Sequence, residues 1–191
     1  MKKILLIAAI AISGCQSTGN MFTNMCQIKE EIDTFTNQVR VDFTKCWVAA
    51  GESVWDMPIH KFGFTWYEAH PERIRVNLTY DSTVDAGGYT NFESLLINID
   101  GNIKERVEFG RTILGDSGYN SVSNTIYTDS SAGAFIDIET FEQMLRSDDV
   151  RLRVNTSDGY SDYVFHISEL GMTKYAKYDL PNYLMTINKH R

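Results

Sequence analysis

The chain has 191 residues, 43% hydrophobic and 23% charged, the balance of an ordinary globular protein and not of a disordered one. One domain is the default at this length, and it can bury a real core without metal or dense disulfides. A net charge of −7 gives nothing that would recruit nucleic acid or anionic headgroups, and three prolines with thirteen glycines exclude a collagen-like or proline-rich chain.

Lys2 and Lys3 open the chain and are followed by the apolar run 4–12. A membrane-spanning helix takes about 20 apolar residues. This run is shorter and has the form of the hydrophobic region of a secretory signal. After it comes Ile12-Ser13-Gly14-Cys15, which resembles the bacterial lipobox. There, small residues leave the backbone beside the cysteine open to a peptidase. The resemblance implies cleavage before Cys15, acylation of Cys15 and attachment to a membrane through that lipid, each buried CH₂ contributing about 0.8 kcal/mol. Gln16 is not the aspartate that favours inner-membrane retention in lipoproteins of double-membrane bacteria, which points to the outer membrane where the host has one. The expected organisation is a signal peptide at 1–14, a lipidated tether at 15–25 and a single β-rich domain at 26–191. Cys26 and Cys46 then remain as an even pair in an oxidising compartment, readable as a disulfide or as two buried thiols. As a disulfide they close a loop of about 20 residues, a stabilisation of about 3 kcal/mol in the chain-entropy picture.

In chain order, Ile28, Ile32, Phe35 and Val39 recur at helical spacing and predict a helix over 27–36. From residue 38 the pattern alternates, and a strand is expected to run towards Trp47. A loop at 51–58 precedes a second strand carrying Phe62, Phe64 and Trp66. Ile74, Val76, Leu78 and Tyr80 form a third, followed by a loop at 81–89. The run 92–99 ends at Asp100-Gly101, a signal for a type I′ hairpin because both turn residues need positive φ. The return strand is expected over 103–114, then a polar loop over 115–123. Short strands at 125–128 and 134–138 flank Ser130-Ser131-Ala132-Gly133, read as a turn. Phe141, Met144 and Leu145 stripe a helix over 139–146. Two strands follow, through Val150-Leu152-Val154 and Tyr163-Phe165-Ile167, turning at Ser157-Asp158-Gly159. The last segment predicts a helix capped by Asp179, with Pro181 in its first turn. Short turns joining consecutive strands predict a mainly β fold: an antiparallel β-sandwich or open barrel of about eight strands with two or three short helices.

Few residue sets carry chemistry. Gly115-Asp116-Ser117-Gly118 resembles the nucleophile loop of trypsin-like serine proteases, whose backbone N–H groups form an oxyanion hole. Tyr119 stands in place of that family's next glycine, and neither His60 nor His70 has the family's Ala-His-Cys context. No catalytic set is therefore expected; a hydrolase built on Ser117 is the remote alternative. The histidines are not spaced as zinc ligands, the acidic loops do not match an EF-hand, and no metal or cofactor is expected. Aromatics crowd 47–67. Trp55, in an expected loop, with Trp66 and Tyr67, are the candidate binding residues, since sheet aromatics stack on sugars or anchor partners. The expected function is that of a membrane-anchored envelope lipoprotein acting without catalysis, as a binding, accessory or scaffold component docked on another envelope protein. The alternatives are a small-ligand or glycan binder and a phage- or plasmid-borne surface-exclusion lipoprotein.

Overall fold

The computed structural model describes residues 26–46, 60–82, 88–121, 125–165 and 174–191. Among them alternation becomes ten strands: β1 (Ile28–Ile32), β2 (Val39–Cys46), β3 (His60–Tyr67), β4 (Arg73–Asp81), β5 (Phe92–Ile99), β6 (Asn102–Glu108), β7 (Ile113–Asn120), β8 (Thr125–Asp137), β9 (Val150–Thr156) and β10 (Gly159–Val164). Helix α1 (Ile138–Arg146) follows β8, and α2 (Lys174–Ile187) follows β10. All pairings are antiparallel, in a six-stranded sheet of order β1-β2-β3-β4-β8-β7 and a four-stranded sheet of order β10-β9-β5-β6. The fold is the expected mainly β one, and two separate sheets make it a sandwich, not a barrel.

The core follows from period-two burial. Val41, Phe43, Phe62, Phe64, Trp66, Ile74, Val76 and Leu78 are buried from the large sheet, and Leu95, Ile97, Ile99, Val150, Leu152 and Val154 from the small one. Helices α1 and α2 add Phe141, Met144, Leu180, Tyr183 and Ile187. Phe64 is central to this aromatic packing, with ring centroids 5.0 Å from Phe141, 6.2 Å from Phe43 and 6.5 Å from Tyr183. β3 is also covered on its outer face. There the Thr65 hydroxyl donates to Asp42 Oδ1 at 2.7 Å and accepts from Asn77 Nδ2 at 3.0 Å.

Five elements depart from the expectation. Residues 28–32 form an edge strand on β2 instead of a helix. The exposed edge of β2 supplies a full row of backbone partners, which outweighs weak helical periodicity. Asp33 then turns the chain, its Oδ1 accepting the N–H groups of Phe35 and Thr36 at 2.7 and 3.0 Å. The run 103–114 is not one strand. Phe109 buries its ring 5.8 Å from Phe92, and the chain crosses there from the small sheet to the large one. Residues 113–120, expected as a loop from 115, are strand β7. Ser130-Ser131-Ala132-Gly133 is no turn but the middle of the 13-residue β8. These small residues answer crowding. Ser130 is buried, and a Cβ on Gly133 would stand 2.5 Å from Arg75 Nε. Pro181 lies inside α2, which starts earlier than expected. The hairpin at Asp100-Gly101 has the expected form, with φ of 53° and 80°.

Candidate functional site

At one end of the sandwich the starts of β3, β5 and β10 meet the ends of β4 and β9. A cleft of about 380 Å³ opens there, lined by His60, Tyr80, Gly88, Tyr89, Thr90, Thr156, Asp158, Gly159, Tyr160 and Ser161. His60 begins β3 in phase with Phe62 and Phe64, so its imidazole points into the core and is 2% exposed. Its centroid lies 5.4 Å from Phe92, 5.7 Å from Tyr163 and 5.9 Å from Tyr80. Nδ1 hydrogen-bonds the Tyr163 hydroxyl. Burial lowers the His60 pKa to about 4 and raises that of Tyr163 well above a phenol's ordinary value, so both are neutral near pH 7. The floor is thus aromatic, uncharged and already hydrogen-bonded.

The rim is polar and tied down. Thr90 N–H donates to Ser130 Oγ at 3.1 Å, and its hydroxyl donates to Asp158 Oδ2 at 3.0 Å. The Tyr89 hydroxyl donates to the Gly115 carbonyl at 2.9 Å. Asp158 is carried by the β9–β10 turn, which Gly159 permits with a φ of 140°. Tyr160 lies under the Arg153 guanidinium, 4.2 Å from the ring centroid, and that guanidinium is held by two bonds to Asp162 of 2.6 and 2.7 Å. Both tyrosine rings are therefore positioned before any ligand arrives, while remaining 41% and 65% exposed. Flat apolar rings beside hydroxyls and one carboxylate suit a small polar ligand with an apolar face.

A second hollow of about 410 Å³ lies on the outer face of the small sheet, over Leu96, Asn98 and Ile103. Of its charged groups, Arg153 pairs with Asp162 and Arg151 with Asp149. It offers a sheet face, not convergent polar groups.

The sequence-predicted site residues are not brought together. Trp66 is fully buried and donates Nε1–H to the Pro71 carbonyl at 3.2 Å, which removes it as a stacking platform. Its phase with Phe62 and Phe64 already pointed inward. Tyr67 is half-buried beside Arg40 in a shallow hollow of about 240 Å³, in the large sheet near the β1–β2 turn and away from the cleft. Trp55 and Cys15 lie outside the described residues, as do Trp47 and His166. Ser117 pairs with Thr128 across β7 and β8, in a strand and not a nucleophile loop. No hydrogen bond joins it to His60, His70 or His190 among the described residues. No group of His, Cys, Asp or Glu there could hold a metal ion. No described helix is long and apolar enough to cross a membrane, which says nothing of strands. Comparison with protein families, with characterised proteins and with solved structures returns no match.

Proposed function

We propose that the chain is a lipid-anchored envelope protein that binds a small, neutral, sugar-like ligand and does no chemistry on it. The cleft over His60 carries this reading. Its volume falls within the range of small-ligand sites, and its lining holds two tyrosines, a carboxylate and three aliphatic hydroxyl side chains. An uncharged floor with a single rim carboxylate suits a polyol better than an anion. The sequence at 1–15 supports the anchor. The expected test is a thermal-shift and calorimetric screen of saccharides, including fragments of envelope glycans, against the lipoprotein in detergent. One class should bind, and Tyr160→Ala should weaken it about tenfold, the scale of one aromatic stacking contact. Binding unaltered by Tyr160→Ala and Asp158→Asn would remove the cleft from consideration.

The pairing of Cys26 with Cys46 is proposed on the same footing. Cys26 is not a free thiol, and the β1–β2 register, with Thr44 N–H donating to the Gln27 carbonyl at 2.9 Å, carries Cys26 to the end of β2 where Cys46 stands. Alkylation before and after reduction should add two labels only after reduction.

A further inference from the structure

We propose that the chain pairs with a second copy of itself through the β1–β2 hairpin, the Phe35 ring of each copy seating in the hollow beside Arg40 and Tyr67 of the other.

The ring comes first. Phe35 sits in the turn between β1 and β2 and is 100% exposed. A phenylalanine in that position forgoes the whole gain of burying its ring. The turn nonetheless holds it in one place. Asp33 N–H donates to the Gln38 carbonyl at 2.9 Å, and Asn37 N–H to the Asp33 carbonyl at 2.7 Å. Inside that loop Asp33 Oδ1 accepts the N–H groups of Phe35 and Thr36. Asn37 completes the reversal with a φ of 57°, a conformation that asparagine tolerates. A ring presented by a fixed backbone loses little freedom when it is buried, which is the character of an interface anchor. Ile32, at the neck of the same hairpin, is 59% exposed and widens the apolar surface.

The seat lies on the same hairpin. Every residue lining the hollow of about 240 Å³ belongs to β1, β2, their turn or the end of β3. An apolar cavity of about 150 Å³ takes up benzene, so a phenyl ring has room. One wall is a guanidinium held in place: Arg40 Nη2 lies 2.9 Å from Glu31 Oε2, and Nε donates to Asp42 Oδ2 at 2.7 Å. Tyr67 stands directly across the β2–β3 register from it. A guanidinium attracts the negative face of an aromatic ring, and a neighbouring phenol ring adds an edge or offset contact. Ring and seat are complementary in charge as well as in size.

The occupant follows from their closeness. Asp33 and Thr36 lie within two residues of Phe35 and also line the hollow. A two-fold axis beside the turn therefore fills two seats with one contact surface, the isologous arrangement of most dimers. A foreign partner would have to bring both a ring and a ring-sized seat. Glu30, Glu31 and Asp33, against Lys29 and Arg40, leave the hairpin without the positive charge that an anionic membrane surface attracts. One hairpin offers a small interface, which makes the pair weak and reversible. The cleft opens at the start of β3 and the hairpin lies by its end, so pairing does not involve the ligand site.

The test is sedimentation velocity on the full lipidated chain in detergent, over a concentration series. Wild type should pass from monomer to dimer as concentration rises. Phe35→Ala should weaken pairing about a hundredfold or more, the scale of two buried rings. Tyr67→Ala, with its fold checked by circular dichroism, should weaken it as well. The deciding arm is the mixture. Phe35→Ala keeps its seat and Tyr67→Ala keeps its ring, so together they make one of the two contacts and should pair with each other better than either pairs with itself. A monomer throughout the series overturns the proposal. So does a dimer unaffected by Phe35→Ala, or a mixture no better than its components. A photo-reactive phenylalanine analogue at position 35 of the otherwise unaltered chain gives a reading that does not depend on the Tyr67 variant folding. It should bond to the Arg40–Tyr67 region of a second copy; capture of lipid or of a different envelope protein instead overturns the proposal in favour of that occupant.

Discussion

His60 is an imidazole buried beside a phenol, with no carboxylate to pair with a proton. Its folded pKa is about 4, against about 6.5 in the unfolded chain. Between those values the unfolded state binds the proton and the folded state does not, so stability rises with pH across that window. The loss on acidification begins near pH 6.5 and is complete near pH 4, at about 3 kcal/mol. Glu105 and Asp179 have pKa values raised by burial and act in the opposite sense at the acid end. The contribution is therefore read as a difference. Urea midpoints of wild type should fall between pH 7 and 4.5, and those of His60→Gln, neutral and still able to bond the Tyr163 hydroxyl, should fall distinctly less. Equal slopes would mean that His60 is protonated in the folded state. Gly101 makes a second residue-scale prediction. At φ 80° nothing lies within 4 Å of where a Cβ would stand, so Gly101→Ala meets only backbone strain and should cost about 1 kcal/mol in chemical denaturation.

At the scale of elements, what was legible was whatever local pattern alone decides. β4, β9 and α1 have one buried and one open face, so their periodicity is printed in their residues. The β5–β6 hairpin was legible because Asp-Gly meets a backbone requirement in place. β1 was not, because its partner edge lies elsewhere in the chain. β8 was not, because small residues can signal either a turn or a close neighbour, and only the fold shows Arg75 over Gly133 and Thr90 on Ser130. α2 was misplaced because proline is expected at a helix start. Inside the helix Pro181 removes one backbone donor, and it is exposed, so no packing depends on its ring. Pro181→Ala should restore that bond and raise stability by about 1–3 kcal/mol, visible as a higher melting temperature. An unchanged or lower value would mean that the proline's restriction of the unfolded chain offsets the missing helix bond.

At the scale of the whole molecule, the cleft was illegible for a topological reason. Its floor comes from β3 and β4, one rim from the segment before β5 and the other from the β9–β10 turn, so its residues span a hundred positions of sequence. The aromatic crowding at 62–66 was legible but served the core. Phe64→Ala, which empties the centre of the contacts to Phe43, Phe141 and Tyr183, should cost about 3–5 kcal/mol in urea denaturation. A small effect would mean that the two helices close over the gap. β8 has a further consequence. It is one uninterrupted strand, paired with β4 on one side and β7 on the other. Tension along it is taken up as shear across the β4–β8 ladder, whose bonds share it in parallel, and the Thr90–Ser130 bond fastens the cleft rim to that ladder.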